Sequence, residues 1–248
     1  MDQRLKQESR GSSALVLIVQ HVTEEHPGLI ADALGELGIR MEICRADTGD
    51  MLPSRVDGYD GFVLMGGPQA ADDETAHPYL RDEKRLVRSA IALGLPVLGI
   101  CLGSQILAEC LGGEVKRGAG HEVGWYEVRK HESADADALF RDLPMTFVPL
   151  HWHGDVIEVP PGCVELGSSG ATAIQGFSFS ARCYGLLFHL EMTRQMLHTM
   201  CDSFTLDLAS AGVSRADILA MSTSRLKKLE PVARKFFRRW GELVLANF

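Results

Sequence analysis

Cys101 stands between two glycines in the stretch Pro96-Val97-Leu98-Gly99-Ile100-Cys101-Leu102-Gly103-Ser104-Gln105, where an apolar strand-like run turns into an amphipathic helix-like one. A nucleophile at such a junction, with glycine two residues before and two after, has the sequence form of a nucleophile elbow. The turn is tight, and a Cβ at Gly99 or Gly103 would meet neighbouring backbone. A thiol there lies at a helix N-terminus, whose free N–H groups and dipole favour the thiolate, and the Leu102 N–H points toward any carbonyl the thiol attacks. A buried, inert cysteine at a strand end writes the same local pattern, so the elbow needs partners to count as chemistry.

A thiol nucleophile needs a base, and the base needs an orienting group. Of nine histidines, His189 lies at the end of an apolar strand-like run, Phe188-His189-Leu190-Glu191, with a carboxylate two residues on. In a strand such residues share a face, so Glu191 can fix the imidazole tautomer and support the imidazolium. The alternative is a charged pair that caps the following helix. Gly66-Gly67-Pro68 closes a third apolar run, Gly61 to Met65. Two glycines let the backbone come close and turn an N–H toward a developing oxyanion, although an ordinary strand-to-helix turn has the same composition.

These residues must be carried by a sheet. The chain has 248 residues, 46% hydrophobic and 23% charged, with a net charge of -8, which suits one large soluble domain and argues against a nucleic-acid footprint. The polar start and the shortness of the run Ala14 to Val19 predict neither a signal segment nor a membrane span, so a cytoplasmic protein is expected. The six cysteines form no C-x-x-C pair, and no metal centre of that kind is expected. Buried strands read at 14–19, 41–44, 61–65, 96–100 and 183–191, with helices after Pro27, over 78–94 and after Cys101. Their alternation predicts a parallel sheet. The stretch 122–130 alternates as a further strand, Met145-Thr146-Phe147-Val148-Pro149-Leu150 and 163–169 offer short ones, and the pattern from Met192 onward is helical.

The motifs FVLMGGP, PVLGICLGSQILAECLGG, EVGWYEV, HWHGD and AIQGFSFSARCYGLLFHLE, in that order, resemble a class I, triad-type glutamine amidotransferase domain over roughly Ala14 to Leu197. The likeness is to stand-alone proteins related to the glutaminase domain of GMP synthetase. It implies a flavodoxin-like three-layer α/β sandwich with a central, mostly parallel sheet, a nucleophile elbow and a helical C-terminal tail. It divides the chain into a polar segment 1–13, the amidotransferase-like domain 14–198 and a helical extension 199–248 packed on it. It also implies hydrolysis of the glutamine side-chain amide by Cys101, His189 and Glu191, with no cofactor. The Gly67 and Leu102 N–H groups would form the oxyanion hole, and Gly66, Gln105 and His153 would line the substrate site.

Two positions depart from the family pattern: Ser104 stands where histidine is common and Leu190 where proline is common. Neither supplies a triad atom, but both raise the expectation of an altered pocket. The helical tail from about Thr193 is too short and too helical to accept ammonia and transfer it, so the acceptor is left unknown, with an ammonia-accepting synthetase as a candidate partner. A γ-glutamyl peptide or conjugate hydrolase would use the same three residues, and a non-catalytic binding subunit would keep the fold alone. His151, His153 and Asp155 of HWHGD could present ligands on one strand face, but no other histidine or cysteine cluster stands near in sequence, so no metal is expected. Asp72, Asp73 and Glu74 read as a solvated acidic loop. Lys227, Lys228, Arg234, Lys235, Arg238 and Arg239 read as the solvated face of a helix whose other side, Leu226, Leu229, Val232, Phe236 and Phe237, is apolar.

Overall fold

The structure, a computed structural model, describes residues 13–248; the polar segment expected over 1–13 lies outside the described residues except for Ser13. The strands are β1 (Leu15–Gln20), β2 (Arg40–Arg45), β3 (Gly61–Leu64), β4 (Val97–Ile100), β5 (Glu114–Trp125), β6 (Val128–Lys130), β7 (Thr146–Phe147), β8 (Leu150–Glu158), β9 (Cys163–Ser168), β10 (Gly176–Phe179) and β11 (Cys183–Leu186). The helices are α1 (Gly28–Glu36), α2 (Tyr79–Ala92), α3 (Leu102–Cys110), α4 (Arg194–Ser203), α5 (Thr205–Ala211) and α6 (Arg215–Leu245). Among the described residues, one sheet runs β2-β1-β3-β4-β11-β10-β9-β6-β7, and β5 pairs with β8 in a separate ribbon. The centre, β2 through β11, is parallel; β10, β9, β6 and β7 extend it antiparallel.

Alternation of side chains along the buried strands divides the core into two layers. Val16 and Ile18 of β1 face α1 and α6, while Leu17 and Val19 face α2 and α3. A third cluster joins the β5–β8 ribbon to α4, α5 and the start of α6 through Val123, Leu150, Met196 and Ile218. The three-layer α/β sandwich that the family resemblance implies is therefore the observed architecture. No helix among the described residues is long and apolar enough to cross a membrane.

Several elements differ from the pattern in the sequence. The stretch 122–130 is not one strand: β5 ends at Trp125 after Gly124, whose φ of 126° lets the chain turn from the ribbon into β6 of the main sheet. HWHGD is part of the longer strand β8. The run 183–191 is strand only to Leu186, and β10 is a strand beyond those expected, although Phe177-Ser178-Phe179 alternates.

The tail forms a layer of the fold. Leu229, Phe236, Phe237, Trp240 and Val244 of α6 are buried against α1 and the sheet. The basic side is engaged as well. Arg234 pairs with Asp32, Glu36 and Glu230, while Lys235 and Arg239 both reach Asp142. Glu74 of the acidic loop pairs with Lys84 and Arg81 of α2.

Backbones meet closely at the junction of β4 and α3. A Cβ on Gly99 would overlap the Gly103 carbonyl, and one on Gly103 would overlap the Leu64 carbonyl of β3. Backbone cannot swing aside as a flexible side chain does. Gly103→Ala should therefore lower the unfolding free energy by about 3 kcal/mol. Trp240→Ala, which empties a fully buried site, should lower it by about 3–5 kcal/mol. Urea titration checks both, with a fall in the midpoint and little change in slope as the expected result.

Candidate active site

Cys101 is the residue before the first turn of α3, with φ 48° and ψ -107°. A non-glycine residue in such a region carries on the order of 1–3 kcal/mol of strain, which the surroundings must offset. The Cys101 N–H donates to Leu186 O of β11 at 2.8 Å, and the Gly103 N–H donates to Met65 O just after β3 at 3.1 Å. The Cys101 carbonyl accepts from the Ser104 N–H at 2.9 Å and from the Ser104 hydroxyl at 2.6 Å. Ser104 thus serves the elbow and is fully buried beneath it, away from the cavity that Cys101 faces. Leu190 is likewise buried on the far side, near Leu29 of α1. Neither Ser104 nor Leu190 lines the cavity over Cys101.

His189 and Glu191 lie beyond the end of β11, so strand alternation does not hold them. The His189 N–H donates to Leu150 O of β8 at 2.8 Å, and Glu191 O accepts from the Leu29 N–H at 3.0 Å. That second contact requires Gly28, whose φ is 45° and whose Cβ would overlap the Glu191 carbonyl. Within this frame His189 Nδ1 lies 2.7 Å from Glu191 Oε1, and both side chains are fully buried. Nε2, the other ring nitrogen, has no hydrogen-bond partner of ordinary geometry.

Burial alone would lower the His189 pKa, but the charge and hydrogen bond of Glu191, together with the Cys101 thiol, raise it well above the ordinary value. Burial pushes the Cys101 thiol up, and the hydrogen bond and charge of His189 offset only part of that. The helix N-terminus was expected to favour a thiolate; desolvation prevails instead, and the thiol donates to Trp152 O at 3.6 Å. Cys101 and His189 form one coupled pair, in which the imidazole receives the proton that leaves the thiol.

The cavity over Cys101, about 140 Å³, is bordered by Gly67, Gln105, Trp152, His153, Phe204 and Asp207, among others. Among the described residues no hydrogen bond uses the N–H of Gly67 or of Leu102, both beside the thiol end of the cavity. Gly66 is not on the wall; its α-carbon faces Glu25 and His189. His153 Nδ1 lies 3.2 Å from Asp155 O, and burial, with the nearby charge of His189, lowers its pKa to about 4, so the ring is neutral at pH 7.

Four features escape sequence reasoning. Phe204 and Asp207 come from the tail, and Trp152 Nε1 donates to Asp207 Oδ2 at 2.9 Å, so α5 supplies a wall of the cavity. His21, just after β1, places Nδ1 3.3 Å from Gly66 O and Nε2 2.9 Å from Glu83 of α2. Burial opposes charge on that ring, but Glu83 outweighs it and the pKa is raised, as suits a ring that donates to two acceptors. Glu25 is buried beside Gly66. The one signal available for both was a charged residue right after an apolar strand, which marks the ligand edge of a parallel sheet.

Glu122 is the fourth. Pairing of β5 with β8 sets it opposite His153, and donor atoms of Glu122, His151 and His153 lie within 4.8 Å of one another. The set could meet a cation, and nearness in sequence was the wrong criterion for finding its third member. Glu122 already accepts from Ser169, Thr172 and Gln175 at 2.6–2.8 Å, and Gln175 also lies 3.3 Å from His153 Nε2. These bonds satisfy the Glu122 carboxylate under the ribbon, while His151 Nε2 and Gln175 Oε1 stay buried without a hydrogen-bond partner.

Residues 26–207 match the family model described as Glutamine amidotransferase class-I. The chain is similar to the glutamine amidotransferase-like protein YfeJ of Salmonella typhimurium, 27% identical over 235 residues that cover 94% of this chain and 98% of that protein. It is 34% identical to the glutamine-hydrolyzing GMP synthase of Herminiimonas arsenicoxydans over 178 residues, 68% of this chain and 31% of the synthase, so it spans about a third of that relative's length. A glutamine amidotransferase of known structure from Thermotoga maritima superposes with a TM-score of 0.85 at 29% identity, covering 94% of this chain and 100% of that one. With the parallel sheet, the elbow and the buried imidazole–carboxylate pair in place, the chain belongs to the class-I glutamine amidotransferase family.

Proposed function

We propose that this chain hydrolyses the side-chain amide of glutamine through a glutamyl thioester on Cys101 and releases ammonia. The observation that carries the reading is the series Cys101, His189, Glu191, in which the imidazole is fixed at Nδ1 by a 2.7 Å contact and left free at Nε2. His189 takes the thiol proton as sulfur bonds to the carbonyl carbon of the side-chain amide, and the Gly67 and Leu102 N–H groups receive the negative oxygen. As the C–N bond breaks, His189 returns the proton to the departing nitrogen. It then takes a proton from water, which attacks the thioester and frees glutamate.

Glu191 fixes the tautomer and supports the imidazolium. Gln105 and His153, on the cavity wall, hold the amino-acid end of the substrate, and the neutral His153 does so without adding charge beside His189. Gly66 acts through its lack of a side chain. No cofactor enters any step. The ammonia acceptor is a separate synthetase; similarity to glutamine-hydrolyzing GMP synthases supports a partner of that class. A γ-glutamyl conjugate hydrolase would use the same three residues and would gain from a pocket altered at Ser104 and Leu190, but neither residue lines the cavity. A binding subunit alone would have no use for a strained cysteine beside a buried base.

Glutamate release by the purified chain, with glutamine and a γ-glutamyl dipeptide offered side by side, tests the proposal. Glutamine should be preferred, and Cys101→Ala should lose roughly 10⁴-fold or more of the rate while the fold survives. Turnover retained by that variant, or preference for the dipeptide, refutes it. If turnover awaits a partner, a chloroketone analogue of glutamine should still label Cys101. In the same assay His189→Ala should cost roughly 10⁴-fold or more and Glu191→Gln a smaller factor, about 10³, because the ring survives with its orientation impaired.

A further inference from the structure

Glu25 lies between β1 and α1, 4% exposed, on the wall of the cavity that holds Cys101. Its Oε2 is buried and has no hydrogen-bond partner. A Cβ on Gly66 would overlap that carboxylate and would stand 3.3 Å from His189 Cε1, so the Glu25 carboxylate and the imidazole edge flank the same small space. Glycine at 66 thereby admits a second carboxylate to the ring that Glu191 already holds at Nδ1. A buried carboxylate oxygen without a hydrogen bond is destabilising, and only the charges around it offset that cost.

The charges around Glu25 are few and can be named. His189 and Glu191 face it from beyond β11, His21 from the end of β1 and Asp207 from α5. Burial raises its pKa to about 7; His189 and His21 draw it down, while Glu191 and Asp207 push it up. His189 is the foremost of these charges, ahead of any anionic group. Glu25 stands against the imidazole edge, where its charge favours the imidazolium, and it also acts on the Cys101 thiol.

We propose that Glu25 is a positioning residue that acts through His189: once ionised, it draws the Cys101 proton onto the imidazole and so prepares the thiolate. The proton moves from Sγ to Nε2, and no group is lost or gained. The proposal rests on the reading of Cys101, His189 and Glu191 given above. Its sign follows from the acid form: protonated Glu25 leaves the ring with one carboxylate, and the thiol keeps its proton. Reactivity should rise as pH passes upward through about 7.

Alkylation of the full chain by iodoacetamide, read by mass spectrometry on the Cys101 peptide between pH 5.5 and 9, tests this without any substrate. Wild type should show a rise near pH 7, Glu25→Gln should lose it and react about tenfold more slowly at pH 8, and Glu25→Asp should restore part of it. Under glutamine turnover the Gln variant should lose kcat by the same factor with KM unchanged. A wild-type profile with no rise near pH 7 overturns the proposal, and needs no variant to fold. So does a Glu25→Gln profile that matches wild type. His189→Ala separates the two readings: if it alkylates as fast as wild type, thiol activation by His189 itself fails, whatever Glu25 does.

Discussion

A cysteine held at positive φ between two backbones sets the terms for everything around it. The conformation at Cys101 survives because β3, β4 and β11 are all parallel neighbours at that level, and each contributes a carbonyl or a close surface to the turn. Leu186 O takes the Cys101 N–H, Met65 O takes the Gly103 N–H, and Leu64 O leaves room for nothing larger than glycine. Sheet pairing thus supplies the free energy that the strained turn consumes. The same three strand ends deliver the Gly66-Gly67 turn and the His189 segment, so strain and site share one scaffold.

The parallel centre needs both faces covered, and the way they are covered shapes the cavity. On one face α6 brings Phe236, Phe237 and Trp240 onto the layer that also holds α1. Before it reaches that face, the tail passes over the carboxyl edge of the sheet as α4 and α5 and packs on the β5–β8 ribbon. Trp152, on that ribbon, touches the Cys101 thiol with its carbonyl and Asp207 with its indole. A segment that stabilises the fold therefore also closes one side of the site.

Buried charge is concentrated at this edge. His21 and Glu83 steady the Gly66 carbonyl, His189 is bound to Glu191, and Glu25 lies between the two pairs. Breaking either pair would leave an uncompensated buried charge, which is more damaging than exchanging both members for apolar residues. Glu122 shows the contrasting case: three donors satisfy it, and it steadies the ribbon through Thr172 and Gln175.

Local sequence was enough for the elements whose signal is itself local. Apolar runs gave the parallel strands, the glycine spacing gave the elbow, and the histidine with a carboxylate two residues on gave the buried pair. The pair was found by an argument that does not hold, since the strand stops at Leu186 and backbone bonds to Leu150 and Leu29 set the geometry. Tertiary structure alone decided what depends on residues far apart in the chain. It set Glu122 opposite His153, brought Asp207 to Trp152, packed α6 on α1, and raised the thiol pKa where a helix N-terminus suggested the reverse. The physical reason is that periodicity and turn chemistry act over a few residues, whereas burial and charge pairing depend on what the whole chain places within a few ångströms.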